Sequence, residues 1–169
     1  MVGRALQSMM QAVAFGAGLV ALCARPSVSS AQPSSQWRVA YGDSASLSFI
    51  DMSRMLRAGH DVVAWVLIMN AKETSGGRGP PFLYVVSKDH FYCAESKVDV
   101  PSMVFYNAGG VVVDTATLAK REVVPESEGD RLFQAACSDR YVSAETVPSI
   151  DAARQVTAGY VAQMGQTLP

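Results

Sequence analysis

The stretch HFYCAESKV, residues 90–98, puts a histidine, a cysteine and a glutamate within six positions of a 169-residue chain that carries three cysteines and two histidines. It is either a site of chemistry or one end of a covalent staple, and the two readings imply different folds. A nucleophilic Cys93 with His90 as its base needs a thiolate and an imidazole within hydrogen-bonding reach. Side chains three apart on a strand point to opposite faces, so His90 and Cys93 diverge unless a bulge intervenes. Geometry favours the staple, and the compartment bears on it further.

Residues 1–31 open with Arg4 as the only early charge, continue into the apolar run AVAFGAGLVALCA and end in SVSSAQ. Ser29 and Ala31 fit the small-residue positions of a signal-peptidase site, so the segment reads as a secretory signal cut before Gln32. Its apolar core of about 13 residues falls short of the ~20 needed to span a bilayer as a helix. Cys23 raises lipidation, but Leu22 is bulky where the processing enzyme needs a small side chain. The expected location is exported: periplasm, outer-membrane surface or secreted. Residues 32–169 then hold 12 basic and 15 acidic side chains, a net charge of −3, and two cysteines, Cys93 and Cys137. No basic stripe marks a nucleic-acid surface, and no span remains after processing. In an exported chain two remaining cysteines pair by default, here joining a strand to the end of a helix.

Residues 32–36, QPSSQ, read as a flexible leader, with order beginning at Trp37. Short apolar, β-rich runs follow: WRVAY, SLSFIDM, DVVAWVLIMN, PFLYVVS, HFYCAES, SMVFYN and GVVVDTA. The glycine-bearing stretches SGGRGPP (75–81) and NAGG (107–110) between them read as hairpin loops, so the sheet is expected to be antiparallel. In VVAWVLIM both alternating sets are apolar, Val62, Ala64, Val66 and Ile68 against Val63, Trp65, Leu67 and Met69, which predicts a central strand covered on both faces. After Pro125 the period changes. Ser127 and Asp130 form a capping pair ahead of Leu132, Phe133, Ala136 and Cys137, predicting a helix of about three turns. A second helix is expected from about Ser149, with Ile150, Ala153, Val156, Tyr160, Val161 and Met164 as its apolar stripe.

Other chemistry has weaker signals. His60, Asp61, Asp89 and His90 lack a recognised metal-ligand spacing, and no metal or other cofactor is expected. VVVDTAT (111–117) resembles the Asp-Thr turn of aspartic proteases, with Asp114 as the carboxylate, but that chemistry needs two carboxylates sharing a proton. Nucleophile-elbow, phosphate-loop and dinucleotide signatures are absent from the sequence.

Taken in order, Trp37, FID (49–51), RAGHDVVAW (57–65), YCAESK (92–97), VFYNAGGVVV (104–113) and VVPESEGDRLFQAAC (123–137) resemble the surface-adhesin protein E family over residues 37–138. The resemblance implies an α+β fold: a small antiparallel sheet with a helix fastened across one face by a Cys93–Cys137 disulfide. To this the chain adds a C-terminal extension, 139–169, carrying an amphipathic helix. Because the family is named for outer-membrane lipoproteins that bind host matrix and plasma proteins, the resemblance also implies adhesion.

The expected function is therefore a non-enzymatic cell-envelope binding or structural module, with host matrix or envelope proteins as partners. Loop 72–81, with Lys72 and Arg78, is the candidate contact. The C-terminal helix is a candidate face for a partner or a second copy. The alternatives are an aspartic-type hydrolase using Asp114 and a periplasmic carrier of a small ligand, which would show a deep apolar pocket.

Overall fold

The computed structural model describes residues 34–75 and 79–166, all within one compact unit. The expected signal segment and its cleavage point lie outside the described residues. Of the expected leader, Ser35 and Gln36 are bonded into the fold. The Gln36 N–H donates to Asp51 Oδ1 at 3.0 Å and Arg54 Nη2 donates to the Ser35 hydroxyl at 2.9 Å.

The elements run β1 (Trp37–Gly42), β2 (Ser46–Asp51), a 3-10 turn (Met52–Arg54), β3 (Leu56–Ala58), β4 (Asp61–Thr74), β5 (Phe82–Tyr92), β6 (Lys97–Tyr106), β7 (Val112–Glu122), α1 (Glu128–Ser138), β8 (Thr146–Val147) and α2 (Ile150–Gln166). The strands form one sheet in the order β7-β6-β5-β4-β2-β1-β8, with β3 also pairing with β4. Every pairing is antiparallel, as the hairpin glycines predict.

Four details differ from the sequence-based expectation. HFYCAES is not a strand of its own, because β5 runs unbroken from Phe82 to Tyr92 and Cys93 opens the turn that follows it. The polar run Ser87-Lys88-Asp89 looks like a break in the sequence, yet Ser87 and Asp89 are buried on the sheet. β6 starts well before SMVFYN and contains Pro101. That proline is exposed and sits between Val100 and Met103, where the register with β7 shifts, and such irregularities tolerate a residue without an N–H. β3 and β8 are too short to show a period of two. The stripe of α2 is the fourth difference: Val156 and Met164 lie on its exposed side, while Ala153 and Thr157 are fully buried. Thr157 can be buried because its hydroxyl donates to the Ala153 carbonyl at 2.8 Å, which satisfies the polar group inside its own helix.

Two apolar clusters form around β4. Val62, Ala64 and Val66 pack with Ala40, Ile50, Phe91 and Val98 and with Leu132, Ala135 and Ala136 of α1. Leu67 and Met69, of the alternate set, pack with Trp37, Val39, Leu47, Phe49 and Tyr84 and with Ala153 of α2. Both alternating sets of the central strand are thus used, as its double apolar pattern requires.

Local polar contacts fix the ends of these elements. Ser127 caps α1, its hydroxyl oxygen accepting from the Asp130 N–H at 3.1 Å, and the Asp130 carboxylate accepts from the Glu126 N–H at 3.0 Å. Asp139 ends α1 in the left-handed region, φ 55°. Asp51, fully buried at the end of β2, accepts from the Gln36 and Ser53 N–H groups, the Ser53 hydroxyl and Arg54 Nε. Burial pushes its carboxyl up, but the bonds from Ser53, Gln36 and Arg54 outweigh burial and hold it below the ordinary range. A disulfide joins Cys93, in the β5–β6 turn, to Cys137 in the last turn of α1, with Cα atoms 5.7 Å apart.

Candidate functional site

The candidate contact region is the end of the sheet that carries the β4–β5 and β6–β7 loops and the β1–β2 turn. Lys72 is exposed near the end of β4. It lines a groove of about 360 Å³ with Ser44, Ala45, Asn70, Glu73 and Val161, which brings the β1–β2 turn and α2 to the same place. Arg78, the other cation of the expected contact, lies outside the described residues.

Hydrogen bonds tie the β6–β7 loop to β4 and α2, which both contribute to this groove. The Glu73 carboxylate accepts from the Ala108 N–H at 2.8 Å, and Arg154 Nη2 of α2 donates to the Ala108 carbonyl at 3.1 Å. Ala108 of the β6–β7 loop is therefore held by β4 through its N–H and by α2 through its carbonyl. Within that loop the Asn107 side chain accepts from the Gly109 and Val111 N–H groups, both at 3.0 Å. Gly110 takes φ +76°, a left-handed conformation that glycine adopts without steric cost. In the β1–β2 turn Asp43 accepts from the Ala45 and Ser46 N–H groups, each at 2.8 Å. Loops ordered in advance lose little freedom on contact with a partner. Val111 and Val112 stand 60% and 51% exposed beside them, so the region offers a cation and apolar side chains on a fixed frame.

The other sequence candidates are dispersed. Asp114 faces a hollow of about 160 Å³ lined by Gly79, Pro80, Phe82 and Phe105, and its Oδ1 accepts from the Thr115 N–H at 2.8 Å. It is the one carboxylate of that lining. His90 Nε2 lies 3.7 Å from Asp61 Oδ2, and its ring stacks on Tyr92 with centroids 4.1 Å apart. Asp89 points to the opposite side of β5 from His90. Among the described residues no three or more His, Cys, Asp or Glu side chains come together as a metal site.

Sequence reading missed a buried polar group beneath the first turn of α1. Asp89 accepts from the Ser87 hydroxyl at 2.6 Å, and Glu128 accepts from the fully buried Ser48 hydroxyl. Burial pushes Asp89 up to about 6, and the nearby Asp99 and Glu128 act in the same direction against Ser87 and Arg121. Burial also raises Glu128, opposed by its bond from Ser48. The only signal in sequence is a pair of polar residues at the even spacing of a strand, which burial alone makes meaningful.

These raised groups set a pH dependence. Between the ordinary carboxyl value of 3.8 and about 6, the folded chain keeps a proton on Asp89 that the unfolded chain has lost. Its stabilising effect is complete below that window and is lost as the pH rises through it, a change of about 3 kcal/mol for a shift of about two units. Asp89→Asn is therefore expected to raise the urea midpoint at neutral pH, to leave it nearly unchanged near pH 4, and to flatten the decline between. Equal midpoints for the two proteins at neutral pH would mean that the charge is compensated in the fold.

Fold and surface together define a small antiparallel-sheet module with one helix disulfide-linked to a sheet turn and with a hydrogen-bonded β1–β2 turn and β6–β7 loop at one end. The sequence profile described as surface-adhesin protein E matches residues 37–138, which run from β1 to the end of α1. The chain belongs to the surface-adhesin protein E family. β8 and α2 lie beyond the matched span. No curated protein and no solved structure matches the chain significantly.

Proposed function

We propose that the chain is an exported, non-enzymatic binding module of the cell envelope, adhesin-like in its action, in which α1 lies across one face of the sheet and the loop end contacts a protein partner. Membership of the surface-adhesin protein E family carries this reading, and the bonds that tie the β6–β7 loop to β4 and α2 near Lys72 support it. Partners of the expected class are host matrix proteins or other envelope proteins. Export is in keeping with the family and with the leader-like N-terminal sequence. Among the described residues no helix is long and apolar enough to cross a membrane. The apolar seam of α2 packs into the chain's own core, so the loop end is a better contact surface than that helix.

The test is retention of defined matrix and envelope proteins by immobilised residues 32–169, with the double variant Lys72→Glu, Arg78→Glu as control. Reversing both charges at a true contact is expected to lower affinity at least about tenfold, the equivalent of ~1.4 kcal/mol. Retention of no partner from either source, or equal retention by the variant, would overturn this reading of the loop end.

A further inference from the structure

A further concavity lies between the first turn of α1 and strands β5, β6 and β7. It measures about 120 Å³, and Ile68, Phe91, Val100, Met103, Leu118 and Leu132 form most of its wall. Asp89 and Ser87 contribute polar atoms from the sheet, and Glu128 and Arg121 complete the lining. Asp89 is only 6% exposed, and its one hydrogen bond comes from the Ser87 hydroxyl. Among the described residues no basic group comes within 4.0 Å of its carboxylate. Arg121 sits on the exposed edge strand and influences Asp89 only through its field, while Glu128 is engaged by Ser48.

An ionised carboxylate offers about four acceptor positions, so Asp89 presents unused acceptor capacity to an apolar chamber. A buried charge without a counter-ion is costly unless something pairs with it. The lining also says what that partner is. A hard metal ion takes about six or more oxygen ligands, which hydrocarbon walls do not supply. An anion would meet Asp89 and Glu128 together, with only Arg121, on the exposed edge strand, to offset them. A wholly apolar guest would leave the carboxylate facing hydrocarbon. An engineered apolar cavity of about 150 Å³ takes up benzene, so this chamber suits a guest of about four or five non-hydrogen atoms.

We propose that this cavity is a binding site for a small organic cation, a primary ammonium on a short hydrocarbon body, with the ammonium on Asp89 and the hydrocarbon against Phe91, Val100, Leu118 and Leu132. The site is separate from the loop end and stands whether or not the partner-binding reading does. The raised value of Asp89 adds a condition: the site is charged, and so competent, at neutral pH and above, and loses the charge on acidification through about 6. Asp99, Arg121 and Glu128 are the other charged groups that act on it.

The experiment is an amide NMR titration of residues 32–169 at neutral pH with methyl-, ethyl-, n-propyl-, n-butyl- and n-hexylammonium, and with n-propanol as the neutral match for n-propylammonium. Shifts should centre on residues 87–91, 118–121 and 128–132. Affinity should rise by about fourfold per methylene as apolar surface is buried, stop rising at about four carbons, and be at least about tenfold weaker for the alcohol, as loss of a charge-assisted bond requires. Asp89→Asn should abolish the preference for the ammonium. No shifts at tens of millimolar, shifts centred elsewhere, or equal binding of n-propanol and n-propylammonium would overturn the proposal. The last comparison uses the native chain and holds even if the variant folds poorly.

Discussion

Replacing both Cys93 and Cys137 with alanine is expected to lower the stability of the folded chain by about 4 kcal/mol, the chain-entropy value for a closed loop of this length. The cross-link spans 44 residues, so without it the unfolded chain gains a large set of conformations. The native side of the balance adds to the effect. α1 has 11 residues, and its fully buried contacts come from Leu132, Ala135 and Ala136, two of which are alanines with little apolar area. Helices shorter than ~12–15 residues are marginal on their own, and such a face gives α1 modest packing energy to hold it on the sheet. Against a net stability of about 5–15 kcal/mol for a domain, loss of the link should also release α1 locally. Amide exchange across residues 128–138 should accelerate more than exchange in β4, and the cavity holding Asp89 should lose its wall. A denaturation midpoint that shifts by less than the equivalent of ~1 kcal/mol on reduction would show that packing, not the covalent bond, holds the helix.

How far the fold is legible in the sequence follows from where each signal resides. β4 announces itself because both of its alternating sets are apolar, and each contributes buried residues to a cluster, although Val63, Trp65 and Ile68 stay half-buried. α1 is legible from Ser127 and Asp130, whose capping bonds form as expected. Other features depend on partners remote in sequence. β5 looks interrupted at Ser87–Asp89 because polarity alone cannot distinguish a turn from a buried hydrogen-bonded pair. The seam of α2 shifts toward Thr157 because the helix backbone itself satisfies the hydroxyl, which a hydropathy stripe does not register. Lys72 could be named from the polar stretch 72–81, although the structure carries β4 through to Thr74 and so puts Lys72 in the strand and not in the loop. The bonds that hold Ala108 between Glu73 and Arg154 join residues 35 and 46 positions apart, and no local pattern encodes them. Asp89 is the extreme case: beside His90 it reads as a surface acid, and only the fold buries it.

Ending the chain at Ser143 is expected to abolish cooperative folding, although the family match ends at residue 138. Such a truncation removes β8, which pairs Thr146 and Val147 with Arg38 and Trp37 of β1, and all of α2. It uncovers the cluster of Trp37, Leu47, Leu67, Met69 and Tyr84, against which Ala153, Ile150, Val147 and Tyr160 pack. At roughly 1.5–3 kcal/mol per large apolar side chain fully buried, partial uncovering of these five costs on the order of 5–10 kcal/mol. The freed segment regains conformational entropy, which offsets part of this. The remainder is still comparable to a domain's whole stability of about 5–15 kcal/mol. It would also leave β1 as an unpaired edge next to exposed apolar surface, a combination that favours aggregation. Residues 139–143 alone do not substitute: their bonds to β1, from the Val142 N–H to the Val39 carbonyl and from Arg38 Nε to the Ser143 carbonyl, cover none of that cluster. The measurement is thermal unfolding by circular dichroism, with dye binding to exposed apolar surface, for residues 32–143 against 32–169. A truncated chain that melts cooperatively within a few degrees of the longer one, without dye binding, would mean that α2 is an accessory to the fold and not one wall of its core.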